Sequence, residues 1–154
     1  SPSAPAETLV QDGWCTFLLF HAVSEAIGRS GYVDDLGVAV AECLGCRSAK
    51  MGYPNDEGLP EHPLYQAGIG AGMGVYRLVS SPWLVDVEAQ MRKSSERIWG
   101  ERGMSASTSD RLFHFVMPMK EATFECVARS IEVRGYHRDF DGAFAYVRSR
   151  LNEH

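Results

Sequence analysis

Two stretches late in the chain, "RLFHFVMPMK" (111–120) and "ATFECVARSIEV" (122–133), restrict the fold more than any other feature. Both are rich in aromatic and β-branched residues, and they meet across Lys120–Ala122, so they read as a β-hairpin. Side chains alternate across a strand. Thr123, Glu125, Val127, Arg129, Ile131 and Val133 therefore share one face, and Phe124, Cys126, Ala128 and Ser130 share the other. On the partner strand His114 shares its face with Leu112 and Val116. Pro118 cannot donate to a ladder and belongs near a strand end or on an edge.

The other elements follow from the same logic. "WCTFLLFHAV" (14–23) and "LGVAVAECLGC" (36–46) read as a second hairpin, joined by the turn "GRSGYVDD" over 28–35. "GVYRLV" (74–79) is a short strand. A helix is expected over 82–98. Ser81 is placed to cap it, and Pro82 suits its first position, where a missing N–H costs nothing. Asp86 and Glu88 fall early and Arg92, Lys93 and Arg97 late, as the helix dipole favours. Leu84, Val87 and Met91 form its apolar face. A second helix over 139–152 carries Phe140, Phe144, Val147 and Leu151 at helical spacing. Residues 1–7 read as a flexible arm, and 100–110 as a polar surface loop. Strands come in adjacent pairs and do not alternate with helices, so the expected class is α+β: one antiparallel sheet of about five strands with two helices packed on it. No linker interrupts residues 8–154, which read as one domain.

Charge and cysteine usage narrow the function classes. A net charge of −5 lacks the clustered Lys and Arg that displace counterions from nucleic acid. The apolar runs, such as Phe17–Phe20, fall far short of a membrane span. "SPSAPAETLV" carries neither the basic region nor the apolar core of a signal peptide, so a cytoplasmic location is expected. Cys43 and Cys46 form a C-x-x-C, but no second pair completes a zinc site, and the motif lies in a strand rather than at a helix start. The four cysteines read as small apolar residues, with no metal and no cofactor expected. The partner class left open is a protein or a small molecule, with no oligomeric state indicated.

The chemistry-bearing residues gather around "GYPNDEGLPEHPLYQAG" (52–68) and the late hairpin. His62, beside Asp56, Glu57 and Glu61, is a candidate acid, base or ligand, and Pro63 holds it extended. His114, Glu121 and Glu125 are the further catalytic candidates; Asn55, Asp56, Lys120 and Thr123 are candidates for ligand binding. Glu125 has an ion pair with Arg129 as a competing role. A spatial pair of Cys126 with His62 or His114 is also open. Gly68, Gly70, Gly72 and Gly74 match no phosphate-binding pattern and suggest an extended segment. The 52–66 loop is expected to dock beside the 111–128 hairpin, with Leu64 and Tyr65 as its apolar anchor, bringing His62 towards Glu121 and Glu125.

Taken as a set, "GYPNDEGLPEHPLYQAG", "SPWLVDVEAQ" and "HFVMPMKEATFECVA" resemble a group of uncharacterised bacterial proteins. That group shares a Pro-Asn-[Asp/Glu]-Glu…His-Pro-Leu segment, a Ser-x-Trp-[Ile/Leu] helix start and a strand ending in [Lys/His]-[Glu/Asp]-x-Thr-Phe-Glu. The resemblance covers about residues 47–130 and implies a fold-sized unit without a reaction. It marks Pro54, Asn55, Glu57, His62, Pro63, Lys120, Glu121, Thr123 and Glu125; this chain carries Lys120–Glu121 where relatives carry His–Asp. The functional expectation is an accessory or binding domain without catalysis. The alternative is a small enzyme, a hydrolase, using His62 with Glu57, Glu121 or Glu125.

Overall fold

The computed structural model describes residues 7–25, 33–70, 74–78, 80–100 and 111–153. Residues 1–6 of the expected arm, most of the turn over 28–35, Gly72 and residues 101–110 of the expected polar loop lie outside them. Eight strands and two helices are found among the described residues. The class is α+β, as the pairing of strands implied, but the strands form two four-stranded sheets instead of one sheet of five. By contact the chain separates into two compact units, Ser1–Leu44 with Ile131–His154, and Gly45–Ser130.

In the first unit the sheet order is β1(Thr8–Gln11), β2(Thr16–Glu25), β3(Val33–Leu44), β8(Ser130–His137). β1, which the sequence did not reveal, turns into β2 at Asp12, whose Oδ1 accepts from Trp14 and Cys15 N–H at 2.7 and 2.6 Å. The expected hairpin β2–β3 forms in antiparallel register, with Phe17 opposite Glu42 and His21 opposite Val38. A bulge interrupts it after Ala22, where Gly37 adopts φ 79°. A Cβ at Gly37 would strike the carbonyl of His137, so glycine is required there twice over.

Helix α2(Phe140–Leu151) packs on β2 and β3, capped by Asp139, whose Oδ1 accepts from Gly142 N–H at 2.9 Å. Its buried residues are Ala143 and Val147, set among Cys15, Phe17, Leu19, Val38 and Val40. Of the expected stripe, Val147 is buried and Phe140 and Leu151 pack against the same core; Phe144 alone is 37% exposed, and small Ala143 meets the sheet instead.

In the second unit the order is β4(Ser48–Gly52), β7(Thr123–Ala128), β6(Phe113–Pro118), β5(Tyr76–Leu78). The late hairpin β6–β7 is present, closed by Met119 N–H to Ala122 carbonyl at 2.9 Å. Its second strand ends at Ala128, however; the continuation "SIEVRGYH" is β8 of the other sheet. Helix α1(Pro82–Trp99) starts at Ser81 as anticipated, with Ser81 Oγ accepting from Leu84 N–H at 3.0 Å. Leu84 and Val87 are buried with Leu112 and Val127, whereas Met91 is 37% exposed, so the helix seats only its first turns.

These packings rank two phenylalanines. Phe17→Ala, at a fully buried site, should cost about 3–5 kcal/mol. Phe144→Ala, on the exposed side of α2, should cost under about 1 kcal/mol. Urea unfolding of the two variants checks the order.

Candidate functional site

Strand register brings the cluster together. Lys50 on β4 pairs directly with Glu125 on β7, and Glu125 pairs with Val116 on β6. Paired residues point to one side, so His114, two positions from Val116, lies diagonally across from Glu125 on the same face. His114 Nε2 reaches Glu125 Oε2 at 2.7 Å, and the Lys50 ammonium reaches Oε1 at 3.1 Å. His62 arrives from the loop. It ends a short 3₁₀ turn over Leu59–Glu61, and the following Pro63 holds it extended at ψ 133°. Its Nε2 lies 3.2 Å from Glu125 Oε1.

The proton positions follow from the partners. Leu64 N–H donates to His62 Nδ1 at 3.1 Å, so in the neutral ring the hydrogen sits on Nε2 and is donated to Glu125. An ionised carboxylate only accepts, so His114 also presents its Nε2–H to Glu125. In the neutral ring that leaves His114 Nδ1 as an acceptor, and Ser81 Oγ lies 2.9 Å from it. The Ser81 hydroxyl thus donates to His114 while accepting from the helix N–H of Leu84. Trp83, two residues on, holds its ring perpendicular to that of His114 with centroids 5.1 Å apart, and the Lys50 ammonium lies 4.6 Å from the Trp83 ring centre.

His62, Ser81, His114 and Glu125 are all buried, while the Lys50 side chain is 59% exposed. Burial by itself pushes the Glu125 carboxyl up. The hydrogen bonds from His114, Lys50 and His62, with the charge of Lys50, outweigh it and bring the carboxyl down to about 2. Glu125 is therefore a fixed negative charge across the physiological range. Among the described residues no group of three or more His, Cys, Asp or Glu is arranged to hold a metal ion, and no helix is long and apolar enough to cross a membrane.

Of the anticipated site residues, the structure brings His62, His114 and Glu125 together and leaves the rest apart. Glu57 and Glu121 are exposed, and none of the cluster's hydrogen bonds reaches them. Arg129 is not the partner of Glu125; its side chain packs over Gly45, which has φ 59°. Cys126 is on the opposite face of β7 from Glu125, so it forms no pair with His62 or His114. Asp56 is exposed and accepts from Glu57 N–H at 2.8 Å. Asn55 Oδ1 accepts from Gly58 N–H at 3.1 Å, a turn contact inside the loop.

Thr123 and Lys120 serve to dock the loop. Thr123 Oγ1 donates to the Pro54 carbonyl at 2.7 Å, and Asp56 N–H donates to the Lys120 carbonyl at 3.2 Å. The Tyr53–Pro54 peptide is cis. Leu64 and Tyr65 are only half-buried, and the apolar side chain buried just beyond them is Ile69. Gly68 closes a second 3₁₀ turn at φ 111°, and Gly70 lies in the turn that follows; neither is extended.

Lys50, Ser81 and Trp83 were not among the sequence candidates. Ser81 and Trp83 stood in a recognised helix start, but a cap is a sufficient reason for serine there. "SAKMG" lacks the β-branched residues that mark a strand, so nothing placed Lys50 opposite Glu125. Comparison of the chain with known protein families, with curated proteins and with solved structures returned no match.

Two outcomes test this geometry. The folded carboxyl of Glu125 lies below its ordinary value of 4.5, so its contribution is complete above that pH and is lost as pH falls from 4.5 towards about 2. That loss is on the order of 3 kcal/mol, and Glu125→Gln should flatten this part of a stability-versus-pH curve measured by chemical denaturation. Thr123→Val, which strips the buried Pro54 carbonyl of its donor, should cost about 1–3 kcal/mol. Asn55→Ala, losing one turn contact, should cost less, with both variants compared by thermal melts.

Proposed function

We propose that the Gly45–Ser130 unit is a small hydrolase in which His114 is the general base and Glu125 holds it. The observation that carries this reading is the line of groups through one imidazole: an ionised, buried carboxylate at Nε2 and a donated hydroxyl at Nδ1. A carboxylate at one ring nitrogen fixes the tautomer and stabilises the imidazolium formed when the other nitrogen takes a proton. Both nitrogens of His62 are engaged, one by a backbone N–H and one by Glu125, so His62 positions the carboxylate and moves no proton. Lys50 keeps Glu125 ionised and stands at the exposed side of the cluster. The substrate is a small molecule: net charge −5 disfavours nucleic acid, and we place the protein in the cytoplasm. We also propose membership of the resembling bacterial group, whose shared segments supply His62, Ser81, Trp83 and Glu125.

A second reading, an accessory domain in which the cluster only supports the fold, is favoured by the mutual engagement of every cluster group. One experiment separates the two. The full chain is assayed against p-nitrophenyl acetate, p-nitrophenyl butyrate and p-nitrophenyl phosphate, with folding checked by circular dichroism. Turnover above buffer is expected on at least one compound, falling about 100-fold or more in His114→Gln. Glu125→Gln should lower kcat by about 100-fold or more, because the imidazolium formed in the reaction loses its counter-charge. A folded chain inert towards the whole set, with His114→Gln changing stability alone, returns the cluster to a structural role.

A further inference from the structure

The general base needs something to deprotonate, and the cluster already holds a hydroxyl at that nitrogen. We propose that Ser81 is a nucleophile that forms a covalent acyl-enzyme with carboxylic esters; this rests on the hydrolase reading above. Ser81, His114 and Glu125 come from a helix cap and two neighbouring strands, yet they form a continuous hydrogen-bonded line with steps of 2.9 and 2.7 Å. A serine that only capped α1 would need one partner, the N–H of Leu84. Ser81 has a second, and it is the ring whose far nitrogen faces the buried charge. Its oxygen also sits at the positive end of an 18-residue helix, where developing negative charge on the hydroxyl oxygen is favoured. Relative to the familiar serine–histidine–aspartate arrangement, the ring nitrogens exchange places: the hydroxyl meets Nδ1 and the carboxylate Nε2.

The chemistry balances without any further reagent than water. Ser81 Oγ bonds to the ester carbonyl carbon as its proton passes to His114 Nδ1. The tetrahedral adduct collapses, the bond to the alkoxy group breaks, and the departing alcohol takes the proton from Nδ1. Water then adds to the acyl-serine, giving a proton to the same nitrogen. Breaking the Oγ–acyl bond releases the acid and returns that proton to Ser81. Glu125 stays ionised throughout, and His62 and Lys50 keep it so.

The test needs no knowledge of the natural substrate. The full chain is incubated with an alkyl fluorophosphonate and followed by intact mass, with tandem mass spectrometry to locate the adduct, while the nitrophenyl ester assay runs in parallel. A single adduct on Ser81 is expected, at a rate reduced about 100-fold or more in His114→Gln. The neighbouring Ser80 is exposed and outside the cluster, so Ser80→Ala should label like the parent chain. Ser81→Asn keeps a capping oxygen for Leu84 N–H while removing the hydroxyl, so it should fold, retain its melting temperature within a few degrees and take no label. Ester turnover without an adduct, or an adduct on another residue, overturns Ser81 as nucleophile and leaves His114 acting on water. Neither adduct nor turnover overturns both this inference and the hydrolase reading.

Discussion

A carboxylate taken out of water is tolerable only when enough donors replace the water it has lost. Glu125 meets that condition through three side chains, one from the strand on each side of it and one from a long loop. Each donor imposes a requirement of its own. Lys50 must be in register on β4, His114 must face the same side of β6, and the 53–67 loop must fold down far enough for His62 to arrive. Removing any one would leave the charge under-compensated in a setting where that is expensive. The Gly45–Ser130 unit is therefore organised around a single polar centre as much as around its apolar packing.

That centre also explains the form of the loop. Pro63 restricts His62 to an extended backbone, and the Leu64 N–H selects the tautomer that presents Nε2–H to the carboxylate. Thr123, two residues before Glu125 on the same strand face, holds Pro54. One strand thus fixes both the start of the loop and its histidine. Proline-rich composition here supplies orientation to a buried side chain instead of merely turning the chain.

What was legible in the sequence follows from the range of the forces involved. Local signals gave correct elements: the alternation of the 111–128 hairpin, the Ser81–Pro82 helix start, and the antiparallel pairing of the first long strands. Contacts between distant segments were recovered only in part. His62, His114 and Glu125 were singled out, but the side chains bonded to Glu125 are His62, His114 and Lys50, not its sequence neighbours Glu121 and Arg129. Strand β7 ends at Ala128 and the chain crosses to another sheet, a step that periodicity does not mark because the alternation runs on unbroken through Val133. The stripe of α2 was read from its large residues, and Phe140, Val147 and Leu151 do meet the core, but Ala143 rather than Phe144 is the second residue buried there.

The pairing of Lys50 with Glu125 bears on how strand β4 finds its place at all. "SAKMG" is short, carries little intrinsic preference for a strand and lies at the outer edge of its sheet. Slipping it by one residue would turn Lys50 to the opposite face and bring Ala49 or Met51 up to the buried carboxylate. Apolar packing alone discriminates weakly between such alignments in so small a segment. A buried carboxylate, already met by two histidines and facing this strand with its remaining capacity, favours the alignment that brings a cation opposite it, so the ion pair acts as an index mark for the register of β4.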